Sequence, residues 1–298
     1  MPWIQVSVAA TINNYQLIED TLISLGAQSV TFKDAADNPI LEPLPGETPL
    51  WQNAIISGLF DDRHNPEILR EQIRQHLDND KLDIELSPLQ DQDWTRAWMD
   101  AFVPMKFGKR LWVCPKHIEP PDPLAVNLRL DPGLAFGTGT HPTTSLCLGW
   151  LDAHVSSQTG CRNVLDYGCG SGILAIAAIL LGAEHADCVD IDEQALQATR
   201  DNAEANRVLH NISTCQPADL ESDRQYELVL ANILSGPLTE LAPALAKRCH
   251  PDSDIVLSGI LHEQAEAVRN AYNEFFEMST TEILEDWVLL HGKRKANL

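Results

Sequence analysis

The chain is short of positive charge: 21 lysines and arginines stand against 43 aspartates and glutamates, for a formal charge of −22. That balance argues against a nucleic-acid backbone or an anionic membrane as the main partner, since both would be repelled, whereas a basic partner would be attracted at long range. A merely soluble acidic protein is the other reading of the same charge. Long apolar runs are also missing. The longest, Ile173 to Leu181, is about half of the ~20 residues that a membrane-spanning helix needs. No basic segment followed by an apolar stretch opens the chain, so no secretory signal is expected. The seven cysteines form no Cys-x-x-Cys pair, and their odd number is unsuited to a disulfide framework. The expectation is a soluble, cytoplasmic, monomeric protein with reduced thiols, no metal centre and no direct nucleic-acid binding.

What is present suffices for two domains: 298 residues, of which 44% are hydrophobic. Residues 1 to about 90 read as strand Trp3–Val8, helix Gln16–Leu25 ending at Gly26, strand Ser29–Lys33, strand Asn53–Phe60, a helix entered at Pro66 with the stripe Ile68, Leu69, Ile73 and Leu77, and strand Leu82–Leu86. This β-α-β-β-α-β order is the ferredoxin-like α+β pattern. It holds no catalytic cluster, and His64 and His76 read as solvated. The region is therefore read as a recognition or scaffold module over residues 1–95. Trp94 and Trp98 lie four apart, on one helix face, and suit packing between domains. A linker and connecting segment is assigned to 96–125, with one strand at Leu111–Cys114, and the second domain to 126–298.

The most informative stretch runs Asn163-Val164-Leu165-Asp166-Tyr167-Gly168-Cys169-Gly170-Ser171-Gly172 and on into the apolar run from Ile173. It reads as strand, glycine loop, helix, a junction where backbone without Cβ atoms and unpaired N–H groups can meet a ligand. A dinucleotide fingerprint requires Gly-x-Gly-x-x-Gly, but Ile173 stands at its last position; a phosphate-binding Walker loop requires a lysine that is missing. An acidic residue before Gly-x-Gly-x-Gly resembles the first motif of the Rossmann-like S-adenosylmethionine-dependent methyltransferases. A plain turn is the bland alternative.

A narrower resemblance is carried by Asp131-Pro132-Gly133-Leu134-Ala135-Phe136-Gly137-Thr138-Gly139-Thr140-His141-Pro142-Thr143-Thr144, together with the glycine loop and Asn232-Ile233-Leu234. With the opening Met1-Pro2-Trp3-Ile4-Gln5 and the segment Glu42-Pro43-Leu44-Pro45-Gly46-Glu47-Thr48, these resemble the bacterial PrmA family. The family methylates amino groups of a large-subunit ribosomal protein, number eleven. The resemblance implies a Rossmann-like class I methyltransferase domain, α/β with a mostly parallel doubly wound sheet and an antiparallel last strand, preceded by the ferredoxin-like domain. It implies S-adenosyl-L-methionine as cofactor and the ribosomal protein as partner.

Gly168 and Gly170 are expected to hold that cofactor. Asp190, 22 residues beyond Gly168 at a strand end, suits hydrogen bonds from ribose hydroxyls, with helix capping as the alternative. Its neighbour Asp192 suits an N-cap better. The resemblance makes Asp219 a candidate facing the adenine amino group; a solvated loop carboxylate is the other reading. It also implies Thr144 as a cofactor contact. Asn232 ends a strand at the same crevice, where it is expected to contact the cofactor, and is also the candidate catalytic residue, its amide oxygen accepting one N–H of the attacking amine; a turn former is the alternative. Many amino-group methyltransferases follow this position with Pro-Pro-aromatic, but Ile233-Leu234-Ser235 offers no flat stacking surface, which favours an aliphatic amine. His141 reads as structural rather than as a base. The rival functions are methylation of RNA or of a small molecule, and a non-catalytic, cofactor-sensing module that binds the ribosomal protein.

Overall fold

The computed structural model describes residues 3–36, 50–79, 82–89, 102–130, 139–156 and 160–296, the side chain of Thr280 excepted. The chain divides into two compact units, residues 1–97 and 98–298. The segment with Trp94 and Trp98, the opening Met1-Pro2, the segment from Glu42 to Thr48 and Asp131 to Thr138 lie outside the described residues.

The first unit comprises β1 (Trp3–Thr11), α1 (Tyr15–Ser24), β2 (Ser29–Asp34), β3 (Asn53–Asp61), α2 (Pro66–His76) and β4 (Ile84–Leu89). Its sheet runs β2-β3-β1-β4 with every neighbouring pair antiparallel, the ferredoxin-like arrangement. Alternation explains the burial: Val6, Val8 and Ala10 of β1 and Ile56 and Phe60 of β3 share one core with Ile18, Leu22, Leu69 and Ile73 of the helices. The start of α2 follows from Asn65, whose side chain accepts the N–H groups of Glu67 and Ile68, and from Pro66, whose fixed φ suits the first turn.

The second unit opens with β5 (Met105–Phe107), β6 (Leu111–Pro115) and β7 (Val126–Leu130), which form a small sheet of their own. It continues with α3 (Pro142–His154), β8 (Asn163–Tyr167), α4 (Ile173–Leu181), β9 (His185–Val189), α5 (Glu193–Ala205), β10 (Ile212–Cys215), β11 (Tyr226–Asn232), α6 (Ser235–Lys247), β12 (Cys249–Leu261), α7 (Ala265–Asn273), β13 (Phe276–Leu284) and β14 (Trp287–Arg294). The main sheet has the order β10-β9-β8-β11-β12-β14-β13. Its first five strands are mutually parallel, and β14 is antiparallel to both of its neighbours. The order reverses between β8 and β11, and open parallel sheets bind ligands at such a switch point, beyond the strands' C-terminal ends. Val164, Leu165 and Leu228 to Ala231 are at most 2% exposed, which accounts for the unbroken apolar strand centres.

The stretch expected as a connecting segment carries more structure than its sequence suggests. β5 is three residues long between Pro104 and Gly108, too short for alternation to show. The turn between β5 and β6 is held by Asp152 of α3, a buried carboxylate that accepts the N–H groups of Lys109 (2.6 Å) and Arg110 (3.0 Å). Asn206 and Arg129 exchange two hydrogen bonds, 2.7 and 2.6 Å long, fastening β7 beyond the end of α5. A 3-10 turn, His262–Gln264, leads into α7. Strand β12 begins at Cys249 and carries Pro251 and Asp252, the latter at φ +65, where its pairing with β11 shifts register.

Candidate active site at the sheet's switch point

The glycine loop joins β8 to α4, with Gly168, Gly170 and Gly172 at φ +80, +54 and +76, conformations that L side chains adopt at a cost. Space matters as much as φ at two of them. A Cβ on Gly168 would lie 2.2 Å from Cγ2 of Ile233, and one on Gly172 would lie 2.7 Å from Cγ2 of Thr199. α5 supports the loop from behind: the Thr199 hydroxyl donates to the Gly170 carbonyl at 3.1 Å, and the Asn202 amide donates to the Ser171 carbonyl at 3.0 Å. Both side chains are at most 2% exposed. Neither was singled out from sequence, although two small polar residues three apart beside Ala195, Leu196 and Ala203 are the signal of a polar contact on a buried helix face.

In front of the loop lies a cleft of about 390 Å³ whose lining includes Gly168, Gly170, Asp190, Pro217, Asn232 and Ile233. Four of the expected site residues thus come together: Gly168, Gly170, Asp190 and Asn232. Asp190 Oδ2 accepts the Gly170 N–H and Oδ1 accepts the Asp192 N–H, each at 3.0 Å. A carboxylate offers about four lone-pair directions, so two remain for a ligand's hydroxyls. Asp192 caps α5 through the Gln194 N–H at 2.9 Å. Asp219 stands exposed at the end of the 3-10 turn Pro217–Asp219, and it is Pro217 of that turn that lines the cleft. Thr144 is fully buried behind Asn232, whose Nδ2 donates to Thr144 Oγ1 at 3.3 Å.

That hydrogen bond sets the amide's orientation and leaves Asn232 Oδ1 buried without a partner among the described residues. Leaving a buried acceptor unpaired costs ~1–3 kcal/mol, a price that a ligand donor would remove. A second such oxygen lies beneath the loop. Asp166, 1% exposed, uses Oδ2 to accept the Ala175 N–H at 3.0 Å, while its Oδ1 has no partner among the described residues. Burial pushes its carboxyl up to about 7; the Ala175 hydrogen bond opposes this and the nearby Asp190 charge adds to it. An acid set in the apolar strand Val164-Leu165-Asp166 is the sequence sign of this group. His141 caps α3, its Nδ1 meeting the Thr143 hydroxyl at 2.7 Å, and its ring stands edge-on to Trp287 at 4.8 Å. Burial lowers its pKa, the form that suits an acceptor at Nδ1, and Glu285 opposes the shift.

The seven-stranded order with β14 reversed, the glycine loop at the switch point and the asparagine ending β11 define a class I methyltransferase. Within that class the chain belongs to the ribosomal protein L11 methyltransferase (PrmA) family, whose model matches residues 2–295. It is 52% identical over 294 residues to the ribosomal protein L11 methyltransferase of Hahella chejuensis, covering 99% of each chain. To that of Pseudomonas aeruginosa it is 49% identical over 298 residues, the whole of both. Among solved structures, a ribosomal protein L11 methylase from Lactobacillus delbrueckii subsp. bulgaricus matches with a TM-score of 0.59 and 31% identity, over 65% of this chain and 100% of that one.

Proposed function

We propose that this cleft binds S-adenosyl-L-methionine and that Asn232 presents amino groups of ribosomal protein L11, lysine side chains or the N-terminus, for methylation. The observation that carries the reading is the buried Asn232 Oδ1 at the end of β11, without a partner among the described residues and with its amide held by Thr144. Gly168 and Gly170 line the cleft without side chains, and Asp190 keeps two lone pairs for the cofactor's ribose. When bound, the cofactor supplies a methyl group already activated by a sulfonium. The protein's part is alignment. An ammonium of pKa ~10.4 must first lose its proton, at about 4.6 kcal/mol at pH 7. Asn232 Oδ1 can then accept one of the remaining N–H groups and turn the nitrogen lone pair toward the methyl carbon. No flat surface follows Asn232 to stack a base, since Ile233, Leu234 and Ser235 come next.

The ferredoxin-like unit is assigned the grasp of the substrate, and the charge of −22 suits a basic protein. A monomer working in the cytoplasm, without direct contact to nucleic acid, completes the reading; among the described residues no helix is long and apolar enough to cross a membrane. The test is to incubate the protein and labelled cofactor with ribosomal protein L11 and, separately, with rRNA. Label in the protein, with mass increments of one to three methyl groups per modified amine, is expected. Label confined to rRNA would make it an RNA enzyme, and tight binding of the ribosomal protein without any mass increment would make it a sensor.

A further inference from the structure

Strand β12 passes directly beside the candidate catalytic residue, and two of its residues are shaped around it. Ser258 is the ladder neighbour of Asn232 in the parallel pairing of β11 and β12. It is completely buried, and its hydroxyl lies 3.3 Å from the carbonyl of Thr143 and 3.3 Å from that of Val288 in β14. Thr143 precedes Thr144, the residue that accepts the Asn232 amide. Asn232, Ser258 and Thr144 therefore close a ring: a strand ladder, a hydroxyl to the first turn of α3, and a hydroxyl back to the amide. A buried serine hydroxyl between two carbonyls donates to only one at a time, and the buried Cys147 thiol is a further hydrogen-bond partner of Ser258.

The next residue, Gly259, sits at φ +83 where the pairing of β12 with β14 is irregular between Leu257 and Ile260. A Cβ there would stand 2.2 Å from the backbone oxygen of Ile233 and 2.7 Å from its carbonyl carbon. Backbone cannot swing aside as a side chain can. Any other residue at 259 would displace the peptide that directly follows Asn232.

We infer that Ser258 and Gly259 are positioning residues for methyl transfer: Ser258 locks the Thr144 end of the Asn232 amide contact, and Gly259 admits the Ile233 backbone that sets where Asn232 ends. This rests on the reading of Asn232 given above. The role inferred for both is in the reacting geometry at Asn232, while Gly168, Gly170 and Asp190 are the residues assigned above to the cofactor. A displacement of about 1 Å at a reacting group can cost on the order of 100-fold in rate.

Ser258→Ala carries the test, because Gly259→Ala combines a backbone clash with a positive φ and can cost the fold. Initial rates with ribosomal protein L11, cofactor affinity by calorimetry and thermal melting are measured for Ser258→Ala, Asn232→Ala and the double variant. The expected result is a kcat for Ser258→Ala lower by on the order of 10-fold, with cofactor affinity and melting temperature close to the parent's. The double variant should be no slower than Asn232→Ala alone, since residues acting as one unit are not additive. A kcat within about twofold of the parent, while Asn232→Ala is crippled, overturns the positioning role and leaves Asn232 standing. So do losses that multiply in the double variant, or a cofactor affinity that falls in step with kcat. An Asn232→Ala protein of full activity removes Asn232 from the reaction, and its positioning residues with it.

Discussion

Two clefts of nearly equal size lie at opposite ends of the main sheet. The one beyond the C-terminal ends of β8, β9 and β11 measures about 390 Å³, and the other, at the N-terminal ends of β8, β11 and β12, about 370 Å³. The second is lined by the more reactive-looking side chains: His154, His250, Glu227, Asp254 and Lys293 with Trp150. Yet its polar groups serve one another. Asp254 takes His291 at 2.7 Å and Lys293 at 3.3 Å, Glu227 accepts the Asn163 N–H at 2.7 Å, and His154 Nδ1 donates to the Trp150 carbonyl at 2.9 Å. The first cleft is built mostly of backbone and aliphatic side chains, and one of its own side chains, Asn232, has a buried oxygen without a partner among the described residues. Between these two clefts, volume and charge do not separate the candidate site; unanswered hydrogen-bonding capacity does.

The comparison breaks first at Asn232. Asn232→Ala should lower kcat by about 10²–10³-fold, the scale of losing one oriented hydrogen-bonding group from a reaction site, with cofactor affinity changed far less. An unaltered kcat would put the two clefts on an equal footing. Next comes Asp166, whose Oδ1 likewise has no partner among the described residues. Its folded pKa is raised from 3.8 to about 7, so the folded chain keeps a proton that the unfolded chain gives up, and stability is lost as pH rises from about 4 to about 7. The loss is of the order of a few kcal/mol. Urea unfolding at about pH 5 and about pH 8, compared with Asp166→Asn, should show the variant's pH dependence flattened in that window. Parallel curves would mean that the carboxylate is already charged.

Asp190→Ala should weaken cofactor binding by about 1.5–3 kcal/mol through lost hydrogen bonds to a charged acceptor. Unchanged binding by calorimetry would confine Asp190 to holding Gly170 and Asp192. The smallest effect is expected in the other cleft, where His250→Ala should alter neither turnover nor cofactor affinity and should move stability by no more than about 0.5 kcal/mol. A tenfold fall in kcat there would show that the saturated cleft takes part in the reaction after all.

What sequence could reveal here followed the range of the interactions concerned. The strand, glycine loop and helix of residues 163–181 are written consecutively, so the loop was legible, as were Asp190 and Asn232 at strand ends. The two larger sheets were legible in outline, because each strand's apolar core is its own signal. Thr199, Asn202, Ser258 and Gly259 were not, since their roles exist only once distant segments meet. At Asp219 the turn's geometry was out of reach of sequence: Pro217 of the same turn lines the cleft, and Asp219 stands exposed beside it. The 102–125 stretch hid its structure behind prolines and a strand of three residues.

The separations along the chain carry a consequence for how activity is acquired. Contacts that shape the glycine loop span 20 residues to Asp190, 29 to Thr199 and 31 to Asn202. Those around the amide span 88 residues from Asn232 to Thr144 and 115 from Ser258 to Thr143. Distant contacts bear the larger loop-closure cost and form later. A refolding chain should therefore recover its grip on the cofactor before it recovers turnover, and a nascent chain that has not yet added β14 still lacks one of the two carbonyls that Ser258 faces.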